Sequence, residues 1–98
     1  MKIQGYTQKY EVEVIKTRYH VNGNFAITLN YYDDEFQCWM PYENLTVNLD
    51  EKLPDNYGYV DINNIPSAEE FINENHLGES TGKYGFSGFC RYPLYKFY

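Results

Sequence analysis

The chain has 98 residues, carries 14 acidic against 8 basic side chains for a formal net charge of −6, and is 19% aromatic. That length fits one domain over residues 1–98 and excludes a two-lobed enzyme, and no stretch approaches the ~20 consecutive apolar residues that cross a membrane. The 12 Tyr, 6 Phe and 1 Trp exclude disorder, and the acidity argues against direct binding of nucleic acid through its phosphates.

Met1-Lys2-Ile3-Gln4-Gly5 leads into no apolar run of the kind a secretory signal needs, so a cytoplasmic location is expected, with Cys38 and Cys90 as reduced thiols. Tyr10 to Val21 reads as the first strand. Tyr10, Val12 and Val14 alternate with acids, then Ile15, Thr17, Tyr19 and Val21 alternate with Lys16, Arg18 and His20. The change of phase predicts a β-bulge near Val14-Ile15. Asn22-Gly23-Asn24 is a turn. A three-residue loop places Val21 opposite Phe25, Tyr19 opposite Ile27 and Thr17 opposite Leu29, keeping charge off the apolar face, with Asn24 in the left-handed conformation.

Phe25 to Tyr32 is the second strand, and Asp33-Asp34-Glu35 turns the chain. Phe36 to Met40 is the third, with Cys38 on the face of Phe36 and Met40 and therefore a core thiol. Pro41-Tyr42-Glu43-Asn44 predicts another turn, and Leu45, Val47 and Leu49 a fourth strand. After a polar loop around Pro54, Tyr57 to Ile62 is a fifth strand. Ser67 with Glu70 fits a capping box, with Asn64 a rival cap for an earlier start, opening a helix whose inward stripe is Ala68, Phe71 and Ile72, stopped at Leu77-Gly78. Arg91 to Tyr98 is the last strand, with Pro93 placing it at an edge or delaying its start. The fold class expected is α+β: a twisted antiparallel β-sheet of about five or six strands with one α-helix packed on one face. Val12, Ile15, Phe25, Ile27, Leu29, Leu45 and Val47 are the candidate sheet core.

Familiar catalytic patterns fail on inspection. Gly78 to Tyr84 has short glycine spacing for a phosphate loop, lacks the magnesium-holding hydroxyl and follows a helix instead of a strand. His20 and His76 have no ligand-spaced partner, so neither metal nor cofactor is expected. Asp33-Asp34-Glu35 lacks the glycine and spaced ligands of a calcium loop. A non-enzymatic protein is the expectation.

The distribution of charge is more informative. Residues 1–32 carry +2; residues 33–79 carry −11, with Lys52 their sole base; residues 80–98 carry Lys83, Arg91 and Lys96 and no acid. The acidic block supplies a candidate partner-binding surface: Asp33, Asp34, Glu35, Glu43, Asp50, Glu51 and Asp55, suited to a protein partner that is basic because it binds nucleic acid. The C-terminal segment supplies the alternative, an aromatic and basic surface of Arg91, Tyr92, Tyr95, Lys96 and Phe97 that could stack single-stranded bases.

Most of the chain also carries a resemblance, its most specific words in the second half. Asn48-Leu49-Asp50-Glu51-Lys52-Leu53-Pro54, Val60-Asp61-Ile62-Asn63-Asn64, Ala68-Glu69-Glu70-Phe71-Ile72, Leu77-Gly78, Thr81-Gly82, Ser87-Gly88-Phe89-Cys90 and Tyr92-Pro93-Leu94-Tyr95 together resemble a family of small proteins of unknown function. That family is encoded on conjugative elements and phages of Gram-positive bacteria. The resemblance implies a genetic setting and no catalytic residue. Small acidic accessory proteins of such elements include inhibitors of defence systems, of the anti-CRISPR and anti-restriction kinds, an implication by analogy of setting.

Overall fold

The computed structural model describes all residues from 1 to 98 and holds eight strands and one short helix. In chain order these are β1 (Lys2–Gln4), β2 (Lys9–Arg18), β3 (Phe25–Asp33), β4 (Cys38–Asn44), β5 (Thr46–Val47), β6 (Tyr57–Val60), α1 (Ala68–Glu74), β7 (Gly78–Ser87) and β8 (Cys90–Phe97). They form two antiparallel four-stranded sheets, ordered β1-β2-β3-β4 and β5-β6-β8-β7. The α+β class holds, but the expected single sheet is two. The division falls at Leu45, where the chain leaves one sheet and enters the other. Its N–H donates to Ile27 O (2.9 Å) and its carbonyl accepts from Asp61 N–H (2.9 Å), so this fully buried residue ties the sheets together.

Both sheets and the helix feed one core. Ile3, Val12, Phe25, Ile27 and Leu29 come from the first sheet, Val60, Tyr95 and Phe97 from the second, and Ala68, Phe71 and Ile72 from α1. The helical stripe is the one the sequence predicts. The capping box is not formed: Ser67 Oγ donates instead to Gln4 O (2.8 Å), fastening the helix start to β1, a strand the sequence reading missed. The helix also ends early, at Glu74, with the Asn75 side chain donating to Phe71 O (2.9 Å). A smaller cluster of Leu53, Tyr59 and Leu94 lies apart from the main core, joined by the partly buried Leu49 and Tyr92.

The β2–β3 register differs from the expected one. Arg18 lies opposite Phe25, Lys16 opposite Ile27, Val14 opposite Leu29 and Val12 opposite Tyr31, with no bulge in β2. The loop is four residues, His20 to Gly23, closed by Tyr19 N–H donating to Asn24 O (2.8 Å). Gly23, not Asn24, takes the positive φ of 74°. The charges that the sequence reading kept off the apolar face are on it. They are tolerated because both side chains are exposed and long enough to carry their charged heads outward. Lys16 Nζ reaches Tyr98 O (2.7 Å), and Arg18 reaches Gly23 O and Asp55. Ile15 and Val21 are correspondingly exposed, and Val47 is only partly buried.

Two prolines also sit otherwise than expected. Pro41 is no turn residue: β4 runs through it as an edge strand, and Pro41 pairs with Asn30 at the β-bulge in the β3–β4 ladder. Pro93 lies in β8, an inner strand, opposite Tyr84 where the β7 register shifts. Both positions fit the confinement of proline to edges and bulges. β6 stops at Val60 because the buried Asp61 carboxylate accepts from Asn64 N–H (3.1 Å) and Asn64 Nδ2 (2.9 Å), turning the chain toward the helix.

Candidate functional site

The seven acidic residues singled out in the sequence do not form one face. Asp50, Glu51 and Asp55 belong to the loop between β5 and β6, which packs against the β2–β3 turn. Asp33, Asp34 and Glu35 lie at the opposite end of β3. The nine residues of β3, spaced at ~3.4 Å from one to the next, put about 27 Å between those ends. Glu43 stands alone on β4, opposite Leu29. The loop acids are partly committed to the fold: Asp55 pairs with Arg18 (3.1 Å), and a Glu51 carboxylate oxygen accepts the Tyr59 hydroxyl (2.7 Å). Burial together with that carboxylate pushes the Tyr59 hydroxyl up to about 12.

The β3–β4 hairpin is different. Asp33 Oδ1 accepts from Glu35 N–H (2.9 Å) and Phe36 N–H (3.1 Å), and Gln37 at φ 53° closes the turn. Asp33 is half-buried and Asp34 and Glu35 are exposed, and none of the three carboxylates has a cation within 4.0 Å; the ion pairs of the chain involve only Glu11 and Asp55. Burial and the neighbouring Asp33 carboxylate hold the Tyr31 hydroxyl above its ordinary value, so Tyr31 stays a neutral donor to Asp33. Around the acids stand rings. Phe36 is 67% exposed at the turn, and Tyr32 and Trp39 form an exposed edge-to-face pair at 5.4 Å. Lys2 and Lys9 line the same cleft of about 770 Å³ as the three acids, without coming within 4.0 Å of their carboxylates. Cys38 starts β4 opposite Asp33 and is exposed, correcting its placement in the core. Phe36 belongs to the turn, so the alternation that placed Cys38 inward begins a strand too early.

The aromatic and basic alternative divides between core and surface. Tyr95 (2% exposed) and Phe97 (1%) are central core residues stacked at 6.2 Å, so they are removed from any stacking surface. Tyr95 donates its hydroxyl to Glu69 (2.7 Å), and burial with that carboxylate pushes its pKa up. Tyr92 is half-buried against the smaller cluster. Arg91 and Lys96 remain exposed. The exposed rings of this region are others: Tyr98 at the chain end, and Tyr84, Phe86 and Phe89, gathered at the β7–β8 hairpin. Gly88 at φ 60° opens its two-residue Gly88-Phe89 loop, as hairpins with glycine at the first central position do. Phe89 is fully exposed, Phe86 lies opposite Arg91, and the Arg91 guanidinium sits 4.4 Å from the centre of the Tyr84 ring. Strand parity carries the signal for this: odd positions of β8 share the core face, and Arg91 lies one pair beyond Pro93, where cover ends.

No group of three or more His, Cys, Asp or Glu side chains is placed to hold a metal ion. No helix is long and apolar enough to cross a membrane. The arrangement therefore offers surfaces: an acidic aromatic hairpin and a basic aromatic one. No curated protein and no solved structure matches the chain. A family model does match, over residues 12–98, from the buried Val12 of β2 through the whole of β8. As the resemblance in the second half implied, it describes a family of unknown function, and the chain belongs to it: Domain of unknown function (DUF4313).

Proposed function

We propose that the chain is a non-enzymatic binding protein whose β3–β4 hairpin engages the basic surface of a nucleic-acid-handling protein. The observation that carries this reading is the composition of that hairpin. Three carboxylates without cationic partners surround exposed Phe36 and the Tyr32–Trp39 pair. Aromatic anchors supply binding energy at protein interfaces, while complementary charge steers the encounter and sets the register. Of the other candidate acids, Glu43 lies on β4 away from the turn, and Asp50, Glu51 and Asp55 lie outside the hairpin; these four contribute to the long-range field.

In its finer form the proposal is an accessory protein of a mobile genetic element in Gram-positive bacteria. It acts in the cytoplasm by blocking a nucleic-acid-targeting defence system of the anti-CRISPR or anti-restriction kind. The resemblance of the second half to proteins of such elements supports that setting, and the step to defence inhibition is an analogy. The mechanism is occlusion: carboxylates presented on a hairpin occupy a site built for phosphates.

The test compares the wild-type chain with D33N/D34N/E35Q, in which the amide oxygen introduced at position 33 can keep the backbone bonds of the turn. Tagged protein is recovered from a Gram-positive host with its partners. A basic protein is expected with the wild type, released by about 300 mM salt as screening shortens to a few ångströms, and absent with the triple variant. Recovery of the same partner by both chains refutes the hairpin assignment. Unchanged interference against a targeted plasmid, when the chain is co-expressed with the defence system carrying that partner, refutes the inhibitory role.

A further inference from the structure

The two exposed aromatic hairpins carry opposite charge. On β3–β4, Asp34 and Glu35 flank Phe36. On β7–β8, Arg91 lies opposite Phe86, and Lys83 stands three residues before it on the same strand. We propose that these are complementary halves of one interface, and that the β3–β4 hairpin of one copy docks on the β7–β8 hairpin of a second copy.

Charge decides the occupant. The chain is acidic overall, so two copies repel at most orientations, but residues 80–98 hold no acid. A second copy's acidic hairpin therefore finds one attractive surface. Neither half is already neutralised: the carboxylates of β3–β4 have no cation within 4.0 Å, and Lys83 and Arg91 have no carboxylate. Arg91 is also held in place by the Tyr84 ring, so less side-chain freedom is lost when it meets a carboxylate. Both halves present exposed rings whose contact removes apolar surface from water.

The contact is heterologous, since each copy offers one hairpin of each kind. It closes into a ring or extends as a chain according to the rotation between copies. Two hairpin tips bury less than a standard interface, so the affinity is weak, on the order of tens to hundreds of micromolar. Self-association and partner binding through β3–β4 are then mutually exclusive. The self-association stands whatever protein binds there, because its readout needs no partner.

Sedimentation velocity from about 10 µM to about 1 mM tests it, in about 25 mM and about 300 mM salt. The expected result is a mass that rises with concentration at low salt and returns to the 11.7 kDa monomer at high salt. D34N/E35Q should weaken association about tenfold, the effect of losing about two surface ion pairs of ordinary strength. Charge reversal gives the decisive arm. D34K/E35K makes both hairpins basic and K83E/R91E makes both acidic, so each alone should be monomeric, while their equimolar mixture associates. Circular dichroism confirms that both variants are folded. A wild-type chain that is monomeric at about 1 mM and low salt overturns the proposal. So does association by either reversed variant alone, or an inert mixture of the two. Binding of an oligothymidylate to β7–β8 by a chain that stays monomeric assigns that surface to nucleic acid and likewise overturns it.

Discussion

Replacing Asn24 by alanine is expected to destabilise the chain by about 3 kcal/mol, through loss of buried hydrogen bonds. Asn24 is 3% exposed. Its Nδ2 donates to Glu51 O (2.6 Å) and more distantly to Asn48 Oδ1 (3.4 Å), and its Oδ1 accepts from Leu53 N–H (2.9 Å). One amide therefore fastens the segment of residues 48–53 to the β2–β3 turn. Alanine leaves the Leu53 N–H, on a buried residue, without a partner, at about 1–3 kcal/mol. The Glu51 carbonyl belongs to an exposed residue and can turn toward water, so its loss adds about 0.5–1 kcal/mol. In a chain of this length such a change lowers the melting temperature by about 10–20 °C.

Glycine at the same position separates this account from the one the sequence suggests. An asparagine kept for a left-handed turn conformation is replaced by glycine at little cost. Asn24 does not have positive φ; Gly23 does. Asn24→Gly therefore loses the same hydrogen bonds as alanine and adds about 0.5–1 kcal/mol of backbone entropy. Urea and thermal melts followed by circular dichroism should rank the wild type above Asn24→Ala, and Asn24→Ala above Asn24→Gly. Finding Asn24→Gly within ~0.5 kcal/mol of the wild type, below the usual loss for a buried hydrogen bond, would refute the staple.

Gly85→Ala should cost about 1–3 kcal/mol by overpacking, because its Cβ would stand 2.6 Å from Tyr59 Cε1 and 2.7 Å from Leu49 Cδ1; chemical denaturation measures it. Phe97→Ala should cost about 3–5 kcal/mol, whereas Phe89→Ala should stay within about 0.5 kcal/mol, since one ring is core and the other is in water. Cys38 is exposed and Cys90 half-buried, so under native conditions a maleimide should label Cys38 first, with mass spectrometry of the peptides as the check. For pH, Tyr59 is raised from 10.0 to about 12 in the folded chain. Its contribution is complete below the unfolded value and is lost as pH rises through the folded one, so the wild type should lose stability across that window more steeply than Tyr59→Phe.

The parts of the fold legible in the sequence are those where side-chain pattern alone decides. The helical stripe of Ala68, Phe71 and Ile72, β3 from Phe25, and the last strand through Phe97 are all where alternation or helical spacing places them. The β2 register was not legible because Lys16 and Arg18 count as polar in any alternation, while their length lets them stand on the apolar face and carry their heads out to distant partners. Their destinations, Tyr98 O and Asp55, are distant in sequence. The two-sheet division was hidden for a similar reason. Leu45 looks like the first residue of a strand, and only its bonds to Ile27 and Asp61 reveal a crossing point. In the candidate site, the acids were visible as composition, but their division depends on the length of β3, and the ring pairing of Tyr32 with Trp39 depends on register across a turn.

Exposed rings scattered singly over a small β-protein need no explanation. Here six of the eight are not scattered, Tyr6 and Tyr98 being the other two. Tyr32, Phe36 and Trp39 gather on one hairpin and Tyr84, Phe86 and Phe89 on another, while Tyr95, Phe97 and Phe71 fill the core. Hairpin tips contribute little to the core, so polar side chains at Phe36 and Phe89 would serve the fold as well and keep the chain more soluble. What the fold does not require, it has no reason to concentrate. Each cluster also carries charge of one sign toward the tip of its own hairpin, and that pairing is what distinguishes an interface from surplus aromatic content. The stability contrast between Phe97 and Phe89 separates the rings that build the protein from those that remain available to contact something else.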